Sequence, residues 1–523
     1  MNGSKSEIGE FFAGRSLLIT GASGFMGKVL LEKLLYSCPD IHQIFIIIRP
    51  KRGKTVEARI DEMFKSPMFH RLRDERPGAF KKLVPFNGDV LQERLGLTEA
   101  AQKRLEDEVS VVIHSAATLR LESRLKDAVE MNLIGTYRVL ELAKQIKNLK
   151  VFVHVSTAFC HVDVPVMEEK VYESPISPLD IMKMCDVMDE ETLDIITPRV
   201  MNPHPNSYTY SKRLAEDLVN NYFPKLPVCI VRPSIVTPAV KEPLPGWVDN
   251  LNGPVGLLVG GSKGVIRSMH CKAEYLAELI PVDYAINGII VCTWKVATMK
   301  ERTKELPVYN LTQGKTNVVS WGKILEVGRG IAYQYPYTMM LWYPDGNIRS
   351  SKFVHNLYSV FCHWLPAYLI DGLLFIFGQK RFMIRVQTKI ATGLEVLQYF
   401  TTRQWHFKND KLLALREELK GADKEMFAMP FEEVNIEHYM KDCILGARHY
   451  LMKEDPASLP RARRTLKMMW LLDRTVTLLF YLFIAWMIVS SSETLRGILD
   501  SILDTFSSAP IFQRAIEKTD SSL

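Results

Sequence analysis

The sequence predicts an α/β fold with a doubly wound parallel sheet, followed by a C-terminal helical domain and a C-terminal membrane segment. In the first half, apolar runs of strand length alternate with helical patterns, as in βαβ units. These runs are almost continuously apolar, which is typical of strands that helices cover on both faces. Beyond residue 345 the alternation stops, and the chain becomes aromatic, basic and helical.

Composition limits the possible functions. The chain has 523 residues, of which 47% are hydrophobic and 24% charged, so it can bury a large core and form more than one domain. A net charge of +7 without a long basic array does not favour nucleic acid as a partner. The eight cysteines are scattered without a C-x-x-C motif, which argues against a disulfide framework or a metal site. Nothing in the sequence supports or excludes an oligomer.

Six strands and two irregular segments are predicted in the first half. We expect the segments 165–205 and 242–254, which are rich in proline, to form the substrate side of a cleft. The predicted strands are 16–20, 43–48, 82–86, 109–114, 150–155 and 228–231.

A glycine-rich turn at residues 20–27 joins the first strand to the first long helix. Its spacing lets the backbone approach a pyrophosphate at a helix N-terminus, where free N–H groups favour anions. An ordinary strand-to-helix turn is the alternative. The residues predicted to bind a dinucleotide here are Thr20, Gly21, Ser23, Gly24, Phe25 and Gly27.

The second predicted strand ends in cations rather than in the carboxylate that would bind a ribose 2′-hydroxyl. Arg49, with Lys51 or Arg52, is suited to a 2′-phosphate, so we predict NADPH rather than NADH. A solvated loop of charges is the alternative. Asp89 follows the third strand and is expected beside the adenine ring.

Small residues follow the fourth predicted strand. Ser115 and Ala116 let the chain pass close under a cofactor, although tight packing alone would also require small side chains. His114, just before them, is interpreted as a packing residue rather than a catalytic base.

Tyr208 and Lys212 are four residues apart and therefore lie on one face of a helix. A cation beside a phenol lowers the phenol's pKa, so the tyrosine is a candidate proton donor. Ser156 and Thr157 end the fifth strand, and a hydroxyl there can hold a substrate carbonyl oxygen. The alternative for the Tyr-Lys pair alone is a surface helix pair.

These motifs together resemble the extended short-chain dehydrogenase/reductase superfamily. More narrowly, the chain is similar to the fatty acyl-CoA reductases, which convert acyl-CoA thioesters to fatty alcohols. The similarity extends nearly end to end, and residues 357–451 resemble that family's "male sterility" domain. The segments that carry it are 27–35, 48–51, 154–158, 208–212, 232–236, 245–250 and 252–254.

Two positions depart from the family pattern. Residues 118–121 lack the family's usual aromatic after Arg120, and Phe159 with Cys160 replaces a common Tyr-Ser. We expect both departures to line the cleft and to affect chain-length preference rather than the type of reaction.

The resemblance implies a Rossmann-like fold and roles for individual residues. It implies that Tyr208, Lys212 and Thr157 are catalytic, with Ser156 as the second choice of hydroxyl. Asn132 matches a helix asparagine that supports the lysine through water, and a helix N-terminal residue is the alternative.

The expected function is NADPH-dependent reduction of long-chain acyl-CoA to fatty alcohol through an aldehyde, with release of CoA. One alternative is a hydroxysteroid or sugar-nucleotide dehydrogenase or epimerase of the same superfamily. A second is an acyl-CoA reductase that stops at the aldehyde, and a third is a membrane-tethered scaffold with a degenerate nucleotide domain. The predicted regions are a reductase domain (1–345), a helical domain (346–460), a transmembrane anchor (466–489) and a tail (490–523).

The membrane segment is predicted from its length and from the cations that precede it. Arg461, Arg463, Arg464 and Lys467 favour a cytosolic catalytic domain, with the anchor in a peroxisomal or endoplasmic reticulum membrane. Asp473 and Arg474 are expected to reach the lipid headgroups by snorkelling. The apolar stretch 357–378 is interpreted as a buried or interfacial helix pair, and an amphipathic helix is expected at 495–506.

Overall fold

The computed structural model describes residues 5–51, 53–301, 303–494, 496–498 and 501. Most of the helix expected at 495–506 lies outside the described residues. The strands are β1 (Ser16–Thr20), β2 (Gln43–Ile48), β3 (Leu83–Asn87), β4 (Val109–His114), β5 (Val151–Val155), β6 (Val166–Met167), β7 (Val228–Pro233), β8 (Ile235–Thr237), β9 (Ser268–His270), β10 (Leu279–Pro281), β11 (Val308–Leu311), β12 (Asn347–Arg349) and β13 (His406–Phe407).

The helices are α1 (Glu7–Phe12), α2 (Phe25–Ser37), α3 (Val56–Phe64), α4 (His70–Glu75), α5 (Glu99–Glu108), α6 (Leu125–Ala128), α7 (Gly135–Gln145), α8 (Pro178–Val187), α9 (Glu190–Met201), α10 (Ser207–Asn220), α11 (Pro254–Ser262), α12 (Val282–Thr298), α13 (Trp321–Gln334), α14 (Lys352–Ser359), α15 (Leu365–Ile376), α16 (Met383–Thr401), α17 (Asp410–Glu418), α18 (Gly421–Met426), α19 (Ile436–Gly446) and α20 (Leu459–Ser490).

Seven parallel strands form the central sheet in the order β11-β7-β5-β4-β1-β2-β3. The strand order reverses between β1 and β4, and ligands of such sheets bind outside the carboxyl ends at this switch point. All six predicted strands are present, with ends that differ by up to two residues. The seventh strand, β11, was not predicted because its four residues include Asn310 and give no continuous apolar run.

Helices cover both faces of the sheet, as the continuous apolar strands require. On one face, Leu30 and Leu34 of α2 and Ile289 of α12 belong to a fully buried core. On the other face, Val139 of α7 and Leu214 of α10 belong to a second core. The doubly wound Rossmann-like fold predicted from the sequence is therefore confirmed.

The segment 165–205 is more regular than expected, and the expectation that it forms the substrate side of a cleft is wrong, because none of its residues, all of which the structure describes, lines the cleft at the carboxyl ends of the central strands. It contains α8 and α9, because Asp189 accepts the backbone N–H of Thr192 and caps α9, and Pro178 suits the first turn of α8. The stretch 242–254 lacks helix and strand, as predicted, up to Pro254, where α11 begins.

The apolar stretch 357–378 belongs to one helical segment, Lys352–Ile376, which continues from α14 through a π-helical turn into α15. Asp371 accepts the backbone N–H groups of Phe382, Met383 and Ile384 at 2.9–3.0 Å, so it ties α15 to the start of α16. The buried alternative for this stretch is wrong, since Phe375 and Ile376 are 68% and 75% exposed, and the interfacial alternative stays a prediction.

Helix α20 begins against the body of the protein and then leaves it. Asp473 is buried and accepts hydrogen bonds from Trp342 Nε1 at 2.6 Å and Arg267 Nη2 at 3.3 Å. The expectation that Asp473 snorkels is therefore wrong, because two protein donors already bind its carboxylate. Beyond Arg474 most of the large apolar side chains are exposed, and Phe480 and Trp486 are exposed by 53% and 63%.

Candidate active site

A cleft of about 530 Å³ opens at the carboxyl ends of the central strands. The predicted site residues come from distant parts of the chain, yet they all line this one cleft. They are Thr20, Gly21, Ser23, Gly24, Phe25, Gly27, Arg49, Lys51, Asp89, Ser115, Ala116, Ser156, Thr157, Tyr208 and Lys212.

The glycine turn forms a cradle that side chains would fill. Gly21 has a φ of +72°, and a Cβ there would lie 2.7 Å from the backbone N of Ala116. A Cβ at Gly27 would lie 2.3 Å from the Gly21 carbonyl oxygen. Gly24 caps α2 without a side-chain hydrogen bond, so the first N–H groups of this helix remain available to an anion.

The Thr20 side chain binds the loop that follows β4. Its hydroxyl accepts the backbone N–H groups of Ser115 and Ala116 at 3.2 Å and lies 2.8 Å from His114 Nδ1. Burial lowers the pKa of His114 to about 3, so the imidazole is neutral, and its Nε2 lies 3.0 Å from Thr136 Oγ1. His114 is thus a packing residue, as predicted.

Several cationic side chains lie at one end of the cleft. Arg49 Nη1 donates to Asp89 Oδ2 at 3.0 Å, and Lys51 lines the same region. Arg59 of α3 donates to Ser23 Oγ at 3.3 Å and to the carbonyl of Arg49. The sequence analysis missed Arg59, because a single arginine eleven residues beyond the end of β2 looks like any exposed helix cation. Arg52 lies outside the described residues.

Lys212 and Tyr208 lie on α10 at the floor of the cleft. Lys212 Nζ donates to the Val155 carbonyl at 2.8 Å, and burial lowers its pKa to about 8. Burial raises the pKa of Tyr208, and a hydrogen bond with Thr157 opposes this only in part. The expectation that the pKa of Tyr208 is lowered is therefore wrong for the protein alone. The loss of hydration on burial raises this pKa more than the hydrogen bond with Thr157 lowers it.

The two hydroxyl residues after β5 differ in their surroundings. Thr157 is hydrogen-bonded to Tyr208 and also accepts the backbone N–H of Phe159 at 3.3 Å. Ser156 is buried beside the Cys160 thiol. Thr157 is thus the hydroxyl that lies beside the tyrosine.

Asn132 joins the loop after β4 to α10. Its Oδ1 accepts the Thr118 N–H at 2.8 Å, and its Nδ2 donates to Ser211 Oγ at 2.9 Å, next to Lys212. It lies within the π-helical segment Val129–Ile134, so the alternative of a helix N-terminal residue is wrong.

A buried ion pair fixes α10 against β7. Arg232 donates to both carboxylate oxygens of Glu216 at 2.8 and 2.6 Å, and His161 Nε2 lies 3.0 Å from the same carboxylate. Burial would raise the pKa of Glu216, but Arg232 and His161 hold it well below its usual range. Cys160 also donates to Glu216 at 3.2 Å. With Arg232 on both oxygens, this cluster is an ion-pair network that holds α10 in position.

The C-terminal helices complete the cleft. Leu397 and Phe400 of α16 line it, and the Phe400 ring packs edge-on against Phe159 at 5.6 Å. Ser234, after β7, also lines the cleft. Sequence reasoning missed Leu397 and Phe400, because the helical pattern of α16 does not reveal which face meets another domain. It placed Ser234 only in a segment of family resemblance and gave it no role in the site. Of the departures from the family pattern, Leu119, Leu121 and Phe159 line the cleft, as expected. The expectation is wrong for Cys160, which is fully buried and bonded to Glu216 instead.

Comparisons with known proteins agree with this architecture. Two family models, both described as male sterility protein, match residues 19–289, as an NAD-binding domain, and residues 362–454. Fatty acyl-CoA reductase 1 of Rattus norvegicus is 36% identical over 462 residues, which cover 88% of this chain and 89% of that protein. Fatty acyl-CoA reductase wat of Drosophila melanogaster is 33% identical over 482 residues, which cover 92% of this chain and 93% of that protein.

Solved structures agree at the level of the fold. The terminal R domain of the myxalamid PKS-NRPS pathway superposes with a TM-score of 0.54 at 20% identity, over 84% of this chain and 92% of that one. The reductase domain of a nonribosomal peptide synthetase from Mycobacterium tuberculosis superposes with a TM-score of 0.56 at 17% identity. The match covers 83% of this chain and 91% of that domain. With a nicotinamide-type cleft and relatives this similar over most of its length, the chain belongs to the fatty acyl-CoA reductase family and is an oxidoreductase.

Proposed function

We propose that the protein reduces long-chain fatty acyl-CoA to fatty alcohol with NADPH, through an aldehyde and with release of CoA. The observation that carries the proposal is the meeting of Tyr208, Thr157 and Lys212 with the glycine cradle in one cleft. The relatives named fatty acyl-CoA reductase support the substrate class.

The described residues fit a phosphorylated dinucleotide. Gly21 and Gly27 let the turn pack tightly against the backbone of residues 115–116 and 21–22, and the start of α2 offers free N–H donors to a pyrophosphate. Arg49, Lys51 and Arg59 provide three cations, which suit the two negative charges of a 2′-phosphate. Arg49 would either leave Asp89 to bind this phosphate or bind both groups at once.

A bound nicotinamide supplies hydride, and the protein controls the oxygen of the substrate. Thr157 and Tyr208 would hydrogen-bond the carbonyl oxygen as negative charge develops there. Tyr208 would then donate its proton, and its raised pKa keeps it protonated at neutral pH. Lys212, held by the Val155 carbonyl, would stabilise the phenolate that remains. CoA leaves as a thiol, and the aldehyde passes through the same arrangement a second time.

We further propose that α20 anchors the protein in a membrane with the catalytic domain in the cytosol. The part beyond Asp473 is exposed, apolar and roughly 25 Å long, close to the ~30 Å hydrocarbon core, which leaves little room for tilt. Arg461, Arg463 and Arg464 precede it and favour the cytosolic side. Both the acyl chain of the substrate and the alcohol product would partition into such a membrane.

The test uses purified full-length protein in detergent with NADPH or NADH and a panel of acyl-CoAs, nucleotide sugars and sterols. We expect turnover of long acyl-CoAs with NADPH, and fatty alcohol as the product identified by mass. Turnover of a sugar nucleotide or sterol, with none of acyl-CoA, would overturn the proposal. Accumulation of aldehyde without alcohol would limit the reaction to its first reduction.

A further inference from the structure

A second cavity of about 140 Å³ adjoins the cleft, and we call it the apolar chamber. Four residues line both spaces: Pro254, Val255 and Leu257 of α11, and Trp321 of α13. The chamber therefore lies directly behind the wall of the active-site cleft. It is lined mainly by α11, α13, α19 and the paired strands β9 and β12.

The lining of the chamber suits hydrocarbon. Its side chains include Leu258, Ile324 and Met440. Two polar groups at its wall are bonded within the protein: the Tyr439 hydroxyl donates to Thr237 Oγ1 at 2.6 Å, and Ser268 Oγ lies 2.9 Å from His355 Nδ1. Arg329 also lines the chamber, and Trp321 Nε1 is buried with no hydrogen-bond partner among the described residues. A polar ligand would find few free partners there, whereas an alkyl chain needs none.

The size of the chamber defines what it can hold. Apolar cavities of about 150 Å³ stay dry and bind molecules as large as benzene. At about 140 Å³ the chamber would take the terminal carbons of an alkyl chain, while the larger cleft holds the rest and the thioester.

The far wall of the chamber faces the exposed apolar helices. Ile266, Met269 and Ile348, on or beside β9 and β12, line it. The backbone N–H of Arg267 donates to His363 in the apolar segment Lys352–Ile376 at 2.8 Å, and its guanidinium bonds Asp473 of α20. One strand layer thus separates the chamber from the helical segments that are candidates for membrane contact.

We infer that the apolar chamber binds the end of a long acyl chain and thereby sets the chain-length preference. The inference rests on the proposed function and adds to it a specificity-determining site behind the cleft. It predicts that filling the chamber shortens the preferred acyl chain without affecting the binding of NADPH, whose proposed contacts lie at the other end of the cleft.

Gly261 allows the chamber to be filled from its wall. It lines the chamber near the end of α11, its φ is not positive, and a Cβ added there meets no heavy atom within 4 Å. The series Gly261→Ala, Gly261→Leu and Gly261→Phe adds increasing volume. Gly330→Leu is the matched control, because this exposed glycine of α13 also has open space around its Cβ and does not line the chamber.

The experiment measures kcat/KM of full-length protein for octadecanoyl-CoA and decanoyl-CoA, with NADPH binding as the test of folding. A single methylene in a hydrophobic pocket changes kcat/KM by roughly 10–200-fold, so the octadecanoyl-to-decanoyl ratio should fall at least about tenfold in Gly261→Leu and further in Gly261→Phe. Gly330→Leu should keep the wild-type ratio.

The outcomes separate the inference from the function on which it rests. If the Gly261 variants bind NADPH and keep the wild-type ratio, the chamber does not hold the acyl chain. If the wild type reduces neither acyl-CoA, the proposed function itself is wrong. If Gly261→Leu and Gly261→Phe lose NADPH binding, Gly261→Ala decides the question: an unchanged ratio in this folded variant would overturn the inference.

Discussion

The nucleotide side of the cleft and its C-terminal side are built differently. The nucleotide side consists of short loops at the carboxyl ends of parallel strands, where Gly21, Thr157 and the neighbouring Tyr208 lie at fixed positions. The C-terminal side consists of helix faces such as Leu397 and Phe400, brought to the cleft by packing between distant segments. Local geometry defines the first side and tertiary packing the second, so substitutions on the two sides should affect different properties.

The largest expected effect is on the nucleotide side, with Tyr208→Phe. Loss of a general acid costs typically 10²–10⁴-fold in rate, so kcat should fall in that range while NADPH still binds. Tyr210→Phe is the matched control, because this tyrosine is two residues away on α10 and its buried hydroxyl has no partner among the described residues. Turnover of Tyr208→Phe within a few-fold of the wild type would refute the catalytic role of Tyr208.

The next effect concerns the choice of cofactor. Arg49→Ala and Arg59→Ala each remove a cation near the proposed 2′-phosphate, and hydrogen bonds to charged groups contribute about 1.5–3 kcal/mol. Affinity for NADPH should therefore fall roughly 10–100-fold, as measured by titration, while affinity for NADH changes little. Lys81→Ala, an exposed cation that does not line the cleft, should change neither. Equal losses for the two cofactors would make these arginines structural.

A smaller effect should appear in the pH profile. Burial lowers the pKa of Lys212 from 10.5 to about 8, so the ammonium loses its charge as pH rises through that value. Because we assign a role to the charged form, kcat/KM should decline above pH ~8. In Lys212→Arg, which is slower but stays charged, this decline should move to higher pH.

A loss of folding stability on deprotonation of Lys212 would not explain the decline in kcat/KM. Between pH 8 and 10.5 the unfolded lysine keeps its proton while the folded one has lost it, so this residue's contribution to stability rises with pH. A profile in Lys212→Arg that declines at the same pH as the wild type would exclude Lys212 as the titrating group.

The smallest effect on the chemistry is expected from the C-terminal side, where truncation before Thr475 removes the proposed anchor. This end point retains Asp473, whose bonds to Trp342 and Arg267 hold α20 to the body. The truncated enzyme should be soluble and keep kcat within a few-fold, as measured on a short acyl-CoA. A truncation before Met468 is the comparison and should be less stable, because Trp342 loses its acceptor and Arg267 keeps only Asp345.

The orientation of the anchor has its own test. A glycosylation acceptor at the C-terminus of the full-length chain should be modified if the helix crosses the membrane. An unmodified tag, together with release of the protein by carbonate, would identify the exposed helix as interfacial instead.

The sequence predicts the nucleotide side well because its signals are local. The glycine spacing at 20–27 and the Tyr208–Lys212 pair each lie within one turn or helix, and strand order brings them together. Arg59 was missed because it approaches Ser23 only after α3 folds back. The burial of Asp473 was also missed, because its partner Trp342 is more than a hundred residues away and nothing near Asp473 in sequence signals the contact.

The central claim is that one cleft reduces an acyl-CoA twice. The most direct measurement incubates full-length protein with octadecanoyl-CoA and NADPH that carries deuterium at the transferred position, and analyses the products by mass. The account predicts octadecanol with two deuterium atoms at its first carbon in the wild type, and a strongly reduced yield in Tyr208→Phe. Wild-type protein that binds NADPH yet forms deuterated aldehyde and no alcohol would contradict the second reduction, and protein that forms neither product would contradict both.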